Sequence, residues 1–386
     1  GNDEKFLGVG AQGPLEEFVI DHDSNQDLRT ESEKIQNIKP DIYYIIPDEY
    51  PSNYALKQFF GFDNIEFLTF LETNDFHVVN NSFSNYPSTI QSLTSSLNME
   101  YLDTITEGVD ADSKNYHLLN ELLSDNLVMR KLSSQGYDVV NIGSLWGPNG
   151  GFKNIKSNLC EFKEVNRDSL SRQLIEKTMI SYFYERYFEQ LRRDQIICTY
   201  NEIELLSEEQ NKPKFIFVHI LSPHSPYIFG PNGEHTIPGN SINSSPWNER
   251  SAHVNQVKFV NKNLIELITK LLDSENKPII ILQGDTGSGS EIDWKSPSDV
   301  MVIERMSNLN AIYFPNNDYN KIHDLTPVNT FRIIFNEYFN EENMLYENRS
   351  YWSNSDKPYQ YKDVSDILKD VGNSAEIIEK IYKKLS

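Results

Sequence analysis

The sequence predicts an α/β fold with a mostly parallel central sheet covered by helices on both faces. Three observations lead there. Short apolar runs such as "DIYYII", "KFIFVHI" and "PIIIL" have strand length and stop at turn residues. Segments with apolar spacing of three and four, such as Val254 to Leu272, have helix length. The two kinds alternate along the chain, which places helices over a sheet buried on both sides.

Regular structure starts at Pro40, because the first 38 or so residues are polar and aperiodic and read as a solvated linker or tail. Asp41 to Ile46 is a buried strand, closed by the turn "PDEYPSN". Leu56 to Phe60 and Ile65 to Leu71 are short amphipathic helices, and "FHVVNNSF" is a second strand. Thr89 to Leu97 is the start of a helix. Leu118 to Leu132 is another helix, followed by a strand over Tyr137 to Ser144. Ser169 to Leu191 is a long aromatic-rich helix. Lys214 to Ile220 is a strand, Val254 to Leu272 a helix, and "PIIILQG" and "LNAIYFP" are strands. Val328 to Tyr338 is helical, and Ser374 to Leu385 forms a helical extension. Residues 39–386 are thus expected to form one domain behind a tail of residues 1–38.

The formal net charge is −22, from 35 Lys and Arg against 57 Asp and Glu. A chain so acidic cannot wrap nucleic acid through its overall field, and it repels anionic membranes. No stretch approaches the roughly 18 apolar residues that cross a bilayer. The chain opens "GNDEKFLG" with no apolar run behind it, as in a cytosolic protein or the soluble part of a longer one.

Polar groups gather at three places. "IIPDEY" ends a strand with Asp48 and Glu49; "SNYPSTIQSLTSSLN" starts a helix at Thr89; "LQGDTG" ends a strand with Asp285 and Thr286. Carboxylates at the C-terminal ends of two parallel strands can converge on a hard cation. A hydroxyl at a helix N-terminus sits in the positive end of the dipole. Taken singly, Asp48–Glu49 and Asp285 are ordinary turn residues and Thr89 an ordinary cap. Their order on this architecture favours a shared site.

These segments resemble the sulfatase-like branch of the alkaline phosphatase superfamily, which includes arylsulfatases, lipoteichoic acid synthases and phosphoethanolamine transferases. "PDIYYIIPDEY" is similar to the family's opening strand, whose end carries acidic metal ligands, here Asp48 and Glu49. "SNYPSTIQSLTSSLNM" is similar to the segment that holds the nucleophile, here Thr89. "FIFVHILSPHSPYIFGPNG" is similar to a His-rich strand and loop that contacts the transferred anion, where His224 matches best. "PIIILQGDTG" is similar to the strand ending in Asp-His-Gly. The resemblance spans about Pro40 to Phe339.

It implies an alkaline phosphatase-like fold and a metal-dependent hydrolase or transferase of phosphate or sulfate esters. Thr89 would be the nucleophile and His224 an anion contact or acid. Asp48, Glu49, Thr89, Asp285 and Thr286 would form the metal positions, and His219 and His235 further substrate contacts. The substrate would be a small-molecule, glycan or lipid ester. The family's ectodomains imply an extracellular or cell-surface place, with membrane attachment only through segments outside this chain. An oxidising medium would in turn pair Cys160 with Cys198.

The departure is Thr286, which stands where the family has a metal-binding His. A neutral hydroxyl is a poor ligand for zinc or manganese, and the remaining all-oxygen set suits calcium or magnesium better. Three readings therefore stand: an esterase with a weakened metal site, an inactive relative that keeps the cleft for binding a glycan or a partner, and a surface scaffold domain with no ligand. A Thr rather than a formylglycine precursor at position 89 tilts the first reading toward phosphoryl chemistry.

Overall fold

Strand β1 (Ile42–Pro47) forms because six consecutive aromatic, β-branched or imino residues are all buried, as the centre of a sheet requires. It pairs in parallel with β5 (Lys214–Ile220) on one side and β6 (Ile279–Gln283) on the other. Beyond β5 lie β3 (Asp138–Gly143) and β4 (Ser157–Leu159), also parallel. Beyond β6 lie β7 (Asn310–Tyr313) and β2 (His77–Val78), both joined antiparallel. The seven-stranded order is β2-β7-β6-β1-β5-β3-β4, so the mostly parallel α/β class expected from the sequence is the one observed. The computed structural model describes residues 39–143, 151–160, 181–209, 212–236, 246–289, 293–315, 325–369 and 371.

Side chains alternate across β1. Ile42, Tyr44 and Ile46 pack with α3 (Thr89–Asn98) and α10 (Pro327–Phe339) through Leu93, Leu97, Phe331 and Phe335. Tyr43 and Ile45 face α8 (Pro246–Leu272) through Val257, Val260, Leu264 and Ile268, with Ile203 of α7 (Ser181–Ser207) beside them. Each fully buried aliphatic or aromatic side chain contributes about 1.5–3 kcal/mol, so these two layers account for most of the stability. The polar Gln283 at the end of β6 is also buried. It accepts from the Tyr44 hydroxyl at 2.9 Å and donates to Asn310 at 3.1 Å, so it carries no unmet demand.

Helices α1 (Asn53–Phe60) and α2 (Ile65–Thr73) follow β1 as expected. The predicted strand "FHVVNNSF" shrinks to the two residues of β2, since Asn80 and Asn81 turn the chain away. The single helix expected over Leu118 to Leu132 is two, α5 (His117–Ser124) and α6 (Leu127–Ser134). Asn126 divides them by accepting the Met129 N–H at 2.9 Å, a cap that periodicity does not show. Short α4 (Leu102–Ile105), α9 (Asp299–Met306), the hairpin β8 (Tyr351–Asn354) with β9 (Lys357–Asp363), and α11 (Ser365–Lys369) were not anticipated. Trp352, Val364 and Leu368 of this last part pack on Phe59, Val302 and Met306.

Cys160, just after β4, is disulfide-bonded to Cys198 of α7, 38 residues away. The described residues from Pro40 onward belong to one unit. The polar tail before Lys39, the first part of the Ser169 to Leu191 helix and the Ser374 to Leu385 extension lie outside the described residues. No described helix is long and apolar enough to cross a membrane.

Candidate active site

Register brings the strand ends together. Ile45 of β1 pairs with Leu282 of β6, and Asp48 and Asp285 each lie three residues further on. Ile46 pairs with His219 of β5, which puts that imidazole beside Asp48. His219 Nε2 is 3.8 Å from Asp48 Oδ2. One ligand atom each from Asp48, His219 and Asp285 lie within 4.8 Å of one another, and all three residues are buried. Their exposures are 5%, 1% and 2%.

Thr89 opens α3, and its hydroxyl donates to Asp285 Oδ2 at 2.5 Å. One turn later the Ser92 hydroxyl donates to the Asp285 carbonyl at 2.7 Å, so the helix start is bolted to the β6 turn twice. Asp285 Oδ1 accepts the Glu49 N–H at 2.9 Å. Glu49 holds a left-handed backbone with φ 56°, unusual for a side-chain-bearing residue and common at functional turns. Its carboxylate turns to Arg305 of α9, with which it forms an ion pair, and lies 3.6 Å from His224 Nε2. Glu49 is therefore the counter-ion of Arg305 and stands apart from the three-residue cluster. The Arg305 guanidinium also reaches the carbonyls of Pro87 at 2.7 Å and Gly287 at 3.1 Å.

The glycines of "GDTG" serve close packing. A Cβ on Gly284 would meet the Tyr50 carbonyl oxygen at 2.7 Å. One on Gly287 would collide with the carbonyl oxygens of Glu304 and Ser307, because the Gly287 N–H donates to the Arg305 carbonyl at 2.7 Å. Gly287→Ala is expected to lower stability by about 2–3 kcal/mol, since backbone cannot give way as a flexible side chain does. Chemical denaturation reads this as a lower midpoint at unchanged slope.

Electrostatics make the cluster costly without a cation. Burial, with Asp285 and Glu49 beside it, pushes the Asp48 carboxyl well above the carboxylate range, against the pull of Arg192 and Arg305. Asp48 Oδ1 has no hydrogen-bond partner among the described residues. Burial also lowers His219 to about 4, opposed by Asp285 and assisted by His224 and Arg192. That leaves a neutral imidazole, the form that binds metal. For Arg305, burial alone would lower the pKa, but Glu49, Asp285 and Asp48 outweigh it and raise it. An orphaned buried carboxylate oxygen, a second carboxylate and a neutral imidazole fit a divalent ion. The imidazole also changes the donor set, which is not the all-oxygen one expected from the sequence.

Thr286 is fully buried, and its hydroxyl has no partner among the described residues. His224 is half-buried on the loop after β5, with its backbone N–H donating to the Asp48 carbonyl at 3.0 Å. His235 is exposed further along that loop, where its backbone bridges to Phe229. Arg305 and Arg192 were not marked as site residues from the sequence. For Arg305 the only trace was a cation beside Glu304 in a mostly apolar helix, "VMVIERM".

The sequence model of the Sulfatase family matches residues 57–333, more than half of the chain. No curated protein is significantly similar to it by sequence. Among solved structures, the fold is similar to the C-terminal periplasmic domain of EptC from Escherichia coli in complex with zinc, with TM-score 0.59, 12% identity, and 88% of this chain and 96% of that one covered. It is also similar to the periplasmic domain of the phosphoethanolamine transferase EptC from Campylobacter jejuni, with TM-score 0.53, 14% identity and coverage of 81% and 92%. A third is the phosphonate monoester hydrolase of Agrobacterium radiobacter, with TM-score 0.50, 11% identity and coverage of 81% and 80%. The chain belongs to the Sulfatase family, in the sulfatase-like branch of the alkaline phosphatase superfamily.

Proposed function

We propose that the protein is a metal-dependent hydrolase or transferase of phosphate or sulfate esters that works through a covalent Thr89 ester. The observation that supports this most directly is the Thr89 hydroxyl hydrogen-bonded to Asp285 beside the Asp48–His219–Asp285 cluster. Those three residues, with the Thr89 oxygen, would hold the ion. The imidazole favours zinc or manganese over calcium or magnesium. When bound, the ion supplies charge neutralisation and a lowered pKa at the Thr89 hydroxyl. Asp285 Oδ2 takes the Thr89 proton, and Thr89 Oγ1 forms the new bond to phosphorus or sulfur while the bond to the departing oxygen breaks. Placement at the α3 N-terminus favours the developing anion. His224 faces the transferred group. Water or an acceptor alcohol then releases the ester.

The Cys160–Cys198 disulfide, together with the periplasmic EptC domains of like fold, supports a place outside the cytoplasm, anchored through segments beyond this chain. A Thr nucleophile supports phosphate over sulfate esters.

The test is incubation of the zinc- or manganese-loaded protein with aryl phosphate monoesters, diesters and sulfates, followed by acid quench and peptide mass analysis. A phosphoryl or sulfuryl adduct on Thr89, absent from Thr89→Ala, is expected. Stoichiometric metal with no turnover and no adduct would favour the second reading, a binding protein on an esterase fold. Thr286 in the place of a ligand is the observation on that side.

A further inference from the structure

The end of α9 and the residues after it are bonded to all three stretches of chain that carry the site. Arg305 is 5% exposed. Its Nε donates to the Pro87 carbonyl at 2.7 Å, just before Thr89. Its Nη1 donates to the Gly287 carbonyl at 3.1 Å, just after Asp285, and forms the ion pair with Glu49, the neighbour of Asp48. The Arg305 carbonyl accepts the Gly287 N–H in return at 2.7 Å. The backbone that follows continues the pattern. The Ser84 N–H donates to the Met306 carbonyl at 2.7 Å, the Ser52 N–H to the Ser307 carbonyl at 3.1 Å, and the Leu309 N–H to the Tyr50 carbonyl at 3.0 Å. The Asn308 side chain donates to the Gly284 carbonyl at 2.6 Å and accepts from the Ser82 hydroxyl at 2.9 Å.

The bonds around Thr89 differ in how they fare during the reaction. The Thr89 hydroxyl holds Asp285 directly at 2.5 Å, but that bond is spent when Thr89 gives up its proton and Oγ1 takes the transferred group. Two bonds that use no reacting atom remain to keep the start of α3 in place. One runs from the Ser92 hydroxyl to the Asp285 carbonyl, the other from Arg305 to the Pro87 carbonyl. The same guanidinium also reaches the β1 turn, through Glu49, and the β6 turn, through Gly287. A guanidinium suits this task because it is a planar fork of five donors that stays charged at any working pH. A single ammonium nitrogen in its place could hold Glu49 but could not also meet the Pro87 carbonyl from the position of Nε.

We propose that Arg305 is a positioning residue for the ester chemistry. Its guanidinium holds the start of α3 at a fixed place between the β1 and β6 turns, so that Thr89 Oγ1 keeps its line to the transferred group while its own bond to Asp285 is broken. This rests on the esterase reading of the site. Arg305 acts through Pro87, Gly287 and Glu49. The spacing of Asp48 and Asp285 has a further tie, the Glu49 N–H on Asp285 Oδ1 at 2.9 Å. Loss of the fork should therefore displace the nucleophile more than the metal positions.

The experiment uses the metal-loaded protein with 4-nitrophenyl phosphate. Arg305→Lys keeps the charge and the pairing with Glu49. It should lose about 100-fold in kcat with KM nearly unchanged, the effect of a small misplacement of the reacting atom. Its metal affinity by calorimetry should stay within a few-fold of the starting protein. Arg305→Ala should lose at least as much, and guanidinium ion at non-denaturing concentration should restore most of it. Methylammonium, with the same charge and no fork, should not. Unchanged kcat in Arg305→Lys, no rescue by guanidinium, equal rescue by both ions, or a fall in metal affinity that matches the fall in kcat would overturn the proposal. Hydrogen exchange read by mass spectrometry needs neither metal nor turnover. The Ser92 N–H, bonded to the Ser88 carbonyl at 2.9 Å, reports the start of α3, and the Gly287 N–H reports the β6 turn. Both should exchange faster in Arg305→Lys while β5 keeps its protection. No change at either, or an even rise that includes β5, would make Arg305 a general stabilising residue and overturn the proposal. If no ester turns over in the starting protein, the esterase reading fails, and the positioning claim stands or falls on the exchange pattern.

Discussion

Asp285→Asn should abolish metal binding and turnover while making the metal-free protein more stable. Asp285 has three roles at once. One oxygen accepts the Glu49 N–H, the other the Thr89 hydroxyl, and its charge lies in a buried cluster with Asp48. Asparagine keeps the shape. Its carbonyl can still accept from Glu49, and its amide can donate to the Thr89 oxygen, so the local fold survives. The negative charge does not. Metal affinity should fall about 100-fold or more, since even changes outside the ligand set cost 10- to 100-fold. Turnover should fall about 1,000-fold or more with the loss of the group that takes the Thr89 proton. The buried Asp48 carboxyl would lose its strongest like-charge neighbour, which should add about 1–2 kcal/mol to the metal-free fold. Calorimetric metal titration and thermal unfolding with and without chelator read the two effects separately. Wild-type metal affinity in Asp285→Asn would remove Asp285 from the ligand set. A lowered melting point in chelator would show that the carboxylate is held by compensation not described above.

The second large effect concerns Thr286. Its side chain is fully buried, next to a ligand position, with a hydroxyl that has no partner among the described residues. An orphaned buried hydroxyl costs about 1–3 kcal/mol. Thr286→Val, of nearly the same shape, should therefore stabilise the metal-free protein by about 1 kcal/mol and leave metal affinity unchanged. Thr286→His should do the reverse. The larger ring must be fitted into a closed site, at a cost of about 1–3 kcal/mol. In exchange it offers a second imidazole beside Asp285 and His219, and should raise zinc and manganese affinity about 10- to 100-fold. Metal should then restore the lost stability, as ligand binding to the native state does. A drop in affinity for Thr286→Val would mean that the hydroxyl itself holds the ion. Unchanged affinity and turnover in Thr286→His, with stoichiometric metal in the starting protein, would mean that position 286 is not a lost ligand.

Much of this was legible along the chain. β1, β5 and β6 are unbroken apolar runs closed by turn residues, so their positions and the polar residues at their ends follow from local pattern. Asp48, Thr89 and Asp285 were visible for that reason, and the family resemblance named their order. Helix breaks were less legible. Asn126 divides a continuous apolar pattern, because a cap depends on one side chain bonding to a backbone N–H three residues on. Hairpin β8–β9 and α9 were missed because their apolar residues meet Phe59 and Trp294 only after the chain has folded back.

The sequence alone therefore determined the strands, the helix start at Thr89 and the chemistry available at each end. Only the tertiary structure decided which of those groups meet. Asp285 and Glu49 are 236 positions apart, and Arg305 and Glu49 256 apart. The β1–β5 register sets His219 against Ile46 and so makes it a neighbour of Asp48 rather than one histidine among eight. The packing of α9 against Gly287 gives Glu49 to Arg305 and leaves Asp48 and Asp285 for a metal. Side chains two residues apart on a strand share a face, which is local information. Which strand lies next, and at what offset, is settled by how the helices fill the layers above and below, and no single segment carries a record of that.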